Sequence, residues 1–272
     1  PEAGGETELA TVRLLPQPGD DAGFSRAAIF PSIQLPPPGA NAGMDTFTAA
    51  SGQAWLEGAV IGATTSYWSK VSGPGSVMFT DHLNPTTTAT FSTPGTYELA
   101  LTAGNGQEQD TDSLTVQVHA ASNIIHAINC GQTGAPYSAL NGITYSTDAY
   151  FTGGGPDAFP GNEVARTGDD LLYNYARSKD GTFEGYAIPI PNGSYTIHLQ
   201  FAETYWTGNE RVFDTYLEGS LVIDDLNLVA VAGKWVAYDR TFTVTVSDGT
   251  LNIDFIASAN NPELNAIVVV KY

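Results

Sequence analysis

The chain has 272 residues and a formal net charge of −19 at pH 7, from 10 Lys and Arg against 29 Asp and Glu. A surface this acidic repels phosphate backbones and anionic lipid headgroups, which excludes nucleic acid and membrane surfaces as expected partners. Neutral sugars meet no such repulsion. No apolar run reaches the length of a membrane-spanning helix, so we expect no membrane insertion.

Gly and Pro are abundant, with 29 and 16 copies, and no amphipathic segment is long enough to predict a helix. β-Branched and aromatic residues recur between these turn formers, which is typical of short strands joined by tight turns. We therefore expect an all-β protein with two domains. The single cysteine, Cys130, cannot form an intrachain disulfide, and in the apolar run IIHAINCG we expect it to be buried.

The acidic residues leave room for a structural calcium ion, which prefers carboxylate and carbonyl oxygens. No segment has the pattern of a calcium-binding loop, and solvated acidic surface is the favoured explanation of the charge. We expect no cofactor, with structural calcium as the alternative.

Residues 1–35 are expected to be a linker or the tail of a preceding domain. The stretch TELATVRLL has strand character, and PQPGDDAG interrupts it. The following PSIQLPPPGANAG indicates a domain boundary, because consecutive prolines favour a stiff, extended backbone. The abrupt polar start suggests a piece of a larger multidomain protein.

Residues 36–120 have the pattern of a small β-sandwich. Apolar residues alternate with polar ones in TYELALTA and SLTVQV, and Asn105-Gly106 between them favours a tight turn. The strings YWSKVSGPGSVMF, TTTATFSTPGTYELALTAGNGQ and SLTVQV resemble PKD-type immunoglobulin-like domains. That resemblance implies a core role for Trp68 between the two sheets. It also implies a spacer in a large secreted bacterial protein, with ligand binding as the alternative.

Residues 123–272 predict a second sandwich, of jelly-roll type. After the turn Asn192-Gly193, apolar residues alternate along SYTIHLQF, and AIVVVKY forms a closing strand. The segment RTFTVTVSDGTLNIDFIA predicts a β-hairpin around Asp248-Gly249. Its alternating apolar residues are Phe242, Val244, Val246, Leu251, Ile253 and Phe255.

Aromatic residues in the connections are not explained by those strands. They stand in FAETYWTGNERVFD and DAYFTGGGPDAFPGN, and amides stand in ASANNPELNAI. A sugar has a face of C–H bonds and a rim of hydroxyls, so its site needs a flat ring with amides or carboxylates nearby. Loops on a rigid sandwich supply both. The candidates are Tyr205, Trp206, Tyr150, Phe151, Phe159, Asn260 and Asn261.

Core packing is the alternative for every large aromatic residue. Tyr205 and Trp206 are expected to contact ligand, because two bulky neighbours cannot both point into one sandwich face. Phe151 and Phe159 are open between the two roles. Four further residues are expected to be structural, through loop packing for Trp235 and Tyr238 and hydrogen bonds for Asn265 and Asp239.

AINCGQ, LLYNYARSKDGTFEGYAIPIPNGSYTIHLQFAETYW, RVFDTYLEG and NPELNAIVV together resemble the malectin domain over about residues 124–272. Malectin-type domains are β-sandwich carbohydrate-binding modules, and the lectin of that family holds a glucose disaccharide with aromatics and an aspartate. The resemblance places the family's aromatic pair on Tyr205 and Trp206 and its aspartate on Asn260. Phe159 is the best substitute for an earlier family tyrosine.

Two positions depart from the family pattern. An amide stands at Asn260 in place of a carboxylate, and Ser178, after Arg177, replaces a family tyrosine. One stacking surface is therefore missing, so the resemblance supports sugar binding but leaves glucose-disaccharide specificity open. The carbohydrate site assigned from the sequence comprises Tyr205, Trp206, Asn260, Phe159, Tyr150, Arg177 and Glu203.

A glycosidase needs two carboxylates facing each other across a sugar, and Glu203, Asp225 and Asp170 are available. Among so many acidic residues their presence means little, and no nucleophile elbow, phosphate loop or histidine cluster is present. We expect no catalysis. The sequence predicts a non-catalytic carbohydrate-binding module of a larger secreted or cell-surface bacterial protein that processes polysaccharide. The alternative is a structural or adhesion spacer that binds protein.

Overall fold

The computed structural model describes residues 9–12, 28–31, 36–178 and 183–272. Residues 1–37 form one unit and residues 38–272 a second. In the first unit, β1 (Leu9–Val12) lies within the stretch predicted to have strand character and pairs antiparallel with β2 (Ala28–Pro31). The segment PQPGDDAG and residues 32–35 of the predicted boundary lie outside the described residues.

The second unit begins with a sandwich that has a four-stranded sheet in the order β4-β11-β10-β7 and a three-stranded sheet in the order β5-β9-β8, with β3 and β6 paired beside them. The strands are β3 (Gly39–Asn41), β4 (Thr46–Ala49), β5 (Ala54–Glu57), β6 (Ala59–Ile61), β7 (Thr65–Ser72), β8 (Val77–Phe79), β9 (Thr86–Phe91), β10 (Gly95–Gly104) and β11 (Gln109–His119).

The core of this first sandwich is made by the alternating residues that the sequence singled out. β10 and β11 pair antiparallel around the loop that contains Asn105-Gly106, as their pattern indicates. Their inward residues pack with Leu56 and Phe91 of the facing sheet. Trp68 is 2% exposed between the sheets, and its indole N–H donates to the Pro85 carbonyl at 2.9 Å. Its predicted core role is confirmed.

The second sandwich has a four-stranded sheet in the order β12-β24-β19-β22 and a five-stranded sheet in the order β15-β18-β23-β20-β21. Two-stranded pairs β13-β14 and β16-β17 lie in its connections. The strands are β12 (Ile124–Asn129), β13 (Tyr137–Ser138), β14 (Thr144–Tyr145), β15 (Phe151–Thr152), β16 (Pro156–Ala158), β17 (Tyr175–Arg177), β18 (Gly185–Pro189), β19 (Gly193–Phe201), β20 (Val212–Leu217), β21 (Ser220–Leu226), β22 (Tyr238–Val246), β23 (Thr250–Ala259) and β24 (Ala266–Lys271).

The helices of the described residues are a 3-10 turn (Ala121–Asn123), α1 (Asp170–Tyr173) and α2 (Leu228–Val231). None of the described helices has the length and apolar character that crossing a membrane requires. The all-β expectation, with an immunoglobulin-like sandwich followed by a second sandwich, is confirmed.

The predicted hairpin around Asp248-Gly249 is wrong. β22 pairs with β19 in the four-stranded sheet, whereas β23 pairs with β18 and β20 in the five-stranded sheet. Apolar residues of both strands pack into the same core, β22 from one sheet and β23 from the other. Alternation predicts which face of a strand is buried but not which strand it pairs with. Here the turn at Asp248-Gly249 connects two strands of different sheets. Cys130, as expected, is buried in this core.

The two central strands of the four-stranded sheet of the second sandwich, β19 and β24, are buried on both faces. One face packs in the sandwich core, and on the other Ala266, Val268 and Val270 pack in a cluster with Phe47 and Ala49 of β4. Buried apolar surface of this kind is the main stabilising contribution to a domain interface. The two sandwiches therefore share a hydrophobic contact layer.

Aromatic and backbone contacts fix the register of that interface. The Phe47 ring stacks on His198 of β19 with centroids 3.8 Å apart, and His119 Nε2 lies 2.8 Å from His198 Nε2. The backbone N–H of Ala49 donates to the Asn141 carbonyl at 2.8 Å. Hydrogen bonds with such distances are directional and hold one sandwich in a single orientation on the other.

Candidate functional site

The loop after β19 is anchored by a buried carboxylate. Glu203 is 1% exposed, and its Oε1 accepts the backbone N–H groups of Tyr205 and Trp206, each at 2.9 Å. Its Oε2 accepts from Nε of Arg211 at 2.7 Å. A carboxylate that accepts several charge-assisted and backbone hydrogen bonds locks the geometry of the segment around it. Glu203 therefore positions the two rings from below.

Arg211 joins three loops of the second sandwich. Besides Glu203, its guanidinium contacts Glu263 at 2.9 Å, donates to the hydroxyl of Ser178 at 2.9 Å, and donates to the Asn261 and Pro262 carbonyls. Burial lowers the pKa of Arg211, but the carboxylates of Glu263 and Glu203 outweigh it and raise the pKa above its ordinary value. Burial raises the pKa of Glu263, and Arg211 partly offsets this effect. We call this buried ionic network of Arg211, Glu203 and Glu263 the platform of the site.

Four aromatic residues above this platform form a continuous line of ring contacts, which we call the aromatic row: Trp206, Tyr205, Phe159 and Trp235. The ring centroids are 4.8 Å apart between Trp206 and Tyr205, 6.4 Å between Tyr205 and Phe159, and 6.0 Å between Phe159 and Trp235. Tyr205 is 57% exposed, and the other three rings are half-buried. Partly exposed, pre-positioned rings are what stacking on a sugar face requires.

Hydrogen bonds join the Trp235 loop to the Tyr205 loop. The N–H of Trp235 donates to the Glu203 carbonyl at 3.0 Å, and the Lys234 ammonium donates to the Tyr205 carbonyl at 2.7 Å. Lys234 also lies 5.5 Å from the centre of the Trp235 ring. The sequence predicted loop packing for Trp235, and the structure adds its edge-on contact with Phe159. Nothing in the sequence around Lys234 and Trp235 predicted this contact.

Asn260 is exposed in the loop before β24 and adopts a left-handed backbone with φ +54°. Its Nδ2 donates to the Glu210 carbonyl at 2.6 Å, which ties it to the loop that follows the aromatic pair. Its Oδ1 is an amide oxygen that can accept a sugar hydroxyl. The same loop contributes the Asn261 carbonyl to Arg211. Asn260 therefore belongs to the same group of connected loops as Tyr205 and Trp206.

Arg177 and Ser178 lie beneath the surface. Arg177 is 3% exposed; its Nε donates to Asp148 at 2.6 Å, and its guanidinium carbon lies 3.2 Å from the centre of the Phe151 ring. Ser178 is 2% exposed and accepts from Arg211. Phe151 itself is exposed on the strand β15 at the edge of the five-stranded sheet. The structure thus pairs the Arg177 guanidinium with protein groups, the buried carboxylate of Asp148 and the exposed ring of Phe151. The adjacent residues 179–182 of the KDGT segment lie outside the described residues.

Tyr150 is not brought to the aromatic row. Its carbonyl accepts from Ala187, which pairs with Asn252 of β23, and its ring is edge-on to His126 at 5.6 Å. The end of β23 that adjoins the Arg211 loop is Ala259, which pairs with Val212. Seven residues of strand separate the two places, roughly 20 Å at the usual rise per residue. Tyr150 remains exposed at 45%, in a different neighbourhood.

The two polar residues expected to be structural have buried or partly buried partners. Asn265 accepts from the Ala202 N–H at 2.6 Å and donates to the Tyr173 and Tyr175 carbonyls. Asp239 accepts from the Tyr173 hydroxyl at 2.7 Å. Burial raises the pKa of Asp239 to about 7, against the opposing hydrogen bonds of Tyr173 and Gln200. Both expectations are confirmed.

The other acidic candidates do not face Glu203 in any contact of the described residues. Asp170 Oδ1 accepts from the Val164 N–H at 3.0 Å, at the start of α1. Asp225 lies with Asp214 and Asp224 in a largely exposed group on the hairpin β20–β21, in which one carboxylate oxygen from each residue lies within 4.8 Å of the other two. These are separate locations. The exposed group is a set of oxygen donors of the kind calcium prefers.

Two sequence families match this chain. Residues 124–267 match the malectin domain, and residues 39–118 match the PKD domain. Malectin of Danio rerio is 28% identical over 158 residues, which cover 56% of this chain and 54% of that protein. Malectin of Homo sapiens is 29% identical over 137 residues, which cover 48% and 46%. The chain thus spans about half the length of the malectins it matches.

Further similarity extends to plant and bacterial proteins. A probable LRR receptor-like serine/threonine-protein kinase of Arabidopsis thaliana is 36% identical over 90 residues, which cover 30% of this chain and 9% of that protein. A crystal structure of Bacteroides uniformis β-glucuronidase has a TM-score of 0.50 and 17% identity, over 84% of this chain and 29% of that chain, which indicates a shared fold. From the extent of the first match, the chain belongs to the malectin domain family, with a PKD domain preceding its malectin domain.

Proposed function

We propose that the malectin domain of this chain binds carbohydrate at the surface of the aromatic row. The single observation that supports this most strongly is the exposed Tyr205 ring beside Trp206, both fixed through their backbone by buried Glu203. An exposed ring normally loses binding energy through the ordering of its loop, and an anchored loop has already lost that freedom. The phenol and indole can then stack on a sugar face, and Asn260 supplies the amide for hydroxyl groups.

The same surface is poorly suited to catalysis, and we propose a binding role without turnover. Glycoside hydrolysis needs one carboxylate as an acid and a second across the sugar. Glu203, the carboxylate of the site loop, is 1% exposed and has both oxygens occupied by Arg211 and backbone N–H groups. A carboxylate so engaged is a scaffold for the loop. Release of reducing ends from glucans by the purified chain would contradict this.

The wider role that we propose is an accessory module in a larger secreted or cell-surface bacterial protein that processes polysaccharide. A module that binds the polymer raises the local concentration of whatever is attached to it, even when its own affinity is weak. The net charge of −19 supports a neutral polymer over an anionic one. We expect a dissociation constant on the order of micromolar to millimolar per site.

The test is affinity gel electrophoresis against a panel of soluble neutral polysaccharides. The unaltered chain should be retarded by at least one of them, and Trp206→Ala and Tyr205→Ala should each remove the retardation. Since Tyr205 is exposed, Tyr205→Ala should change the free energy of unfolding by no more than about 0.5 kcal/mol. The matched control is Tyr67→Ala, which removes an exposed tyrosine from β7 of the PKD domain and should leave retardation unchanged.

Retardation of Trp206→Ala equal to that of the unaltered chain would refute the assignment of the site. No retardation and no signal on a glycan array would favour the alternative role as a spacer or adhesion domain.

The need for calcium is tested by thermal unfolding in the presence of calcium and in the presence of a chelator. We propose that no resident ion is needed, so the two transitions should coincide; a higher midpoint with calcium would point to the exposed group of Asp214, Asp224 and Asp225.

A further inference from the structure

A cleft of about 440 Å³ lies where the PKD and malectin domains meet. One wall is β5 of the PKD domain, with Trp55 and Glu57. The other wall comes from the malectin domain and includes Trp235, Glu163 and Asp170. A cleft of this volume is in the range of sites that hold small ligands, and such sites are commonly lined by aromatic side chains like the two tryptophans here.

The cleft continues the aromatic row. Trp235, the last ring of that row, is also a lining residue of the cleft. Successive rings from Trp206 to Trp235 are 4.8 to 6.4 Å apart, which is comparable with the length of one sugar residue in a chain. A glycan that stacks on Tyr205 and extends past Phe159 would therefore enter the space between Trp235 and Trp55.

The interface holds the Trp55 wall in place. Glu57 Oε2 accepts the backbone N–H of Arg166 from the malectin domain at 2.6 Å and lies 3.4 Å from the indole nitrogen of Trp55. Gly168 approaches one side of the Trp55 ring so closely that a Cβ there would stand 2.9 Å from a ring carbon. The indole is half-buried, so one part packs against the malectin domain and the rest lines the cleft. Such a ring is pre-positioned by both domains.

The polar groups of the cleft define the chemistry of its occupant. Glu57, Glu163 and Asp170 line it, and no Lys, Arg or His is among its described lining residues. The ammonium of Lys234, over the Trp235 ring, is engaged by the Tyr205 carbonyl. Carboxylates accept hydroxyl protons well and repel uronate or sulfate groups. Aromatic walls with an acidic rim fit a neutral oligosaccharide.

We propose that the PKD domain supplies a subsite, through Trp55, for the distal sugars of a neutral oligosaccharide that is bound on the malectin domain. The PKD domain then contributes to ligand length specificity in addition to acting as a spacer. This inference rests on the proposed carbohydrate function. It predicts that a hexasaccharide contacts both domains, whereas a disaccharide contacts the malectin domain alone.

The four tryptophans provide a direct readout in the unaltered chain. In ¹⁵N-labelled protein, the indole N–H signals are followed during titration with maltose and maltohexaose, cellobiose and cellohexaose, laminaribiose and laminarihexaose, and a hexagalacturonide. A hexasaccharide that binds should shift the signals of Trp206, Trp235 and Trp55, and its disaccharide should shift that of Trp206 without moving Trp55. Trp68, 2% exposed in the PKD core, is the internal control and should not move.

Variants give the corresponding affinities by calorimetry. Trp55→Leu keeps an apolar side chain at the interface but removes the flat ring, and it should weaken hexasaccharide binding about tenfold while leaving disaccharide binding unchanged. Trp206→Ala should weaken both. Tyr67→Ala, on another strand of the PKD domain, should weaken neither. The hexagalacturonide should shift Trp55 far less than the neutral chains do.

The outcomes separate the two proposals. If a hexasaccharide shifts Trp206 but leaves Trp55 unmoved, and Trp55→Leu binds it as the unaltered chain does, the subsite is refuted and the malectin-domain site stands. If no sugar shifts Trp206, the proposed carbohydrate function fails, and the subsite fails with it. An equal response of Trp55 to the hexagalacturonide would overturn the restriction to neutral chains.

Discussion

Glu203 Oε1 accepts the backbone N–H of Trp206 at 2.9 Å, so a carboxylate three residues before the indole sets the position of that ring. The same oxygen accepts from Tyr205, and the second oxygen accepts from Arg211. The geometry separates two roles within AETYW. The rings face the surface, and the acid holds the turn that presents them.

Replacement of Glu203 by glutamine should therefore damage the fold and the site together. The amide oxygen of Glu203→Gln can still accept from the loop N–H groups, but its NH₂ group then faces the Nε–H of Arg211, donor against donor. The buried guanidinium loses a charged partner, and we expect a loss of about 3 kcal/mol in the free energy of unfolding. Urea unfolding monitored by tryptophan fluorescence measures it.

Glu210→Gln is the matched control, since Glu210 is an exposed glutamate in the same loop. It should change the free energy of unfolding by less than about 0.5 kcal/mol. Similar stabilities for the two variants would show that the Glu203–Arg211 pair contributes little and that the loop is held by other contacts.

Restoring the family tyrosine at position 178 should not restore a stacking surface. Ser178 is 2% exposed, and its hydroxyl accepts from Arg211 at 2.9 Å. Ser178→Tyr inserts a large ring into this packed region and displaces the guanidinium, and we expect a loss of about 2 kcal/mol with no gain in sugar affinity. Ser178→Ala should lose about 1 kcal/mol. A tyrosine variant that is as stable as the parent and binds glycan more tightly would contradict the buried position.

The histidine pair between the domains predicts weaker docking in acid. Burial lowers the pKa of His119 to about 4, and burial and the neighbouring His119 lower the pKa of His198. The pair contacts the Phe47 ring and the hydroxyl of Thr241, neither of which is acidic. The pKa of each imidazole in the folded protein is below its value of 6.5 in the unfolded chain. The contribution of the neutral pair to the free energy of unfolding is therefore complete above pH 6.5 and is lost as the pH falls toward 4.

For His119 alone this loss amounts to about 3 kcal/mol at pH 4. Unfolding curves collected from pH 7 to pH 4 measure it. His119→Gln keeps a hydrogen-bonding side chain but does not titrate, so its stability should fall less steeply over this range. His126→Gln, on β12, should retain the slope of the unaltered chain. Parallel slopes for all three proteins would exclude the pair as the origin of acid sensitivity.

The sequence predicts the sandwiches and their cores well because alternation is a local property of each strand. The inward faces of β10, β11 and β19 follow from period two, and Trp68 follows from its resemblance to PKD domains. Pairing is not local. Asp248-Gly249 has the composition of a hairpin turn, yet the strands on either side join opposite sheets, since either partner would bury the same apolar residues.

The candidate site was predictable in its rings and less so in its surroundings. Tyr205, Trp206 and Phe159 come together as expected from aromatic residues in loops. Arg177 could not be distinguished from a ligand-facing arginine because its partner Asp148 lies far along the chain. Trp55 could not be associated with Trp235 either, since only the docking of the two domains brings them to one cleft.

That docking depends on a close backbone approach, which a single methyl group should prevent. Gly52 is buried, and a Cβ there would collide with the backbone of Asn141 in the malectin domain. Gly52→Ala should force the two sandwiches apart at this point, weaken docking by about 2 kcal/mol and increase the radius of gyration measured by small-angle scattering. Gly219→Ala is the control: its φ of +71° strains an alanine by about 1 kcal/mol, but no atom lies within 4 Å of the added Cβ.

The same displacement of Gly52 should also affect sugar binding, because Gly52 precedes β5, which presents Trp55. Hexasaccharide binding should weaken, and disaccharide binding on Tyr205 and Trp206 should remain intact. An unchanged radius of gyration together with unchanged hexasaccharide affinity would show that the two domains tolerate the added methyl group and that the Trp55 wall does not depend on this contact.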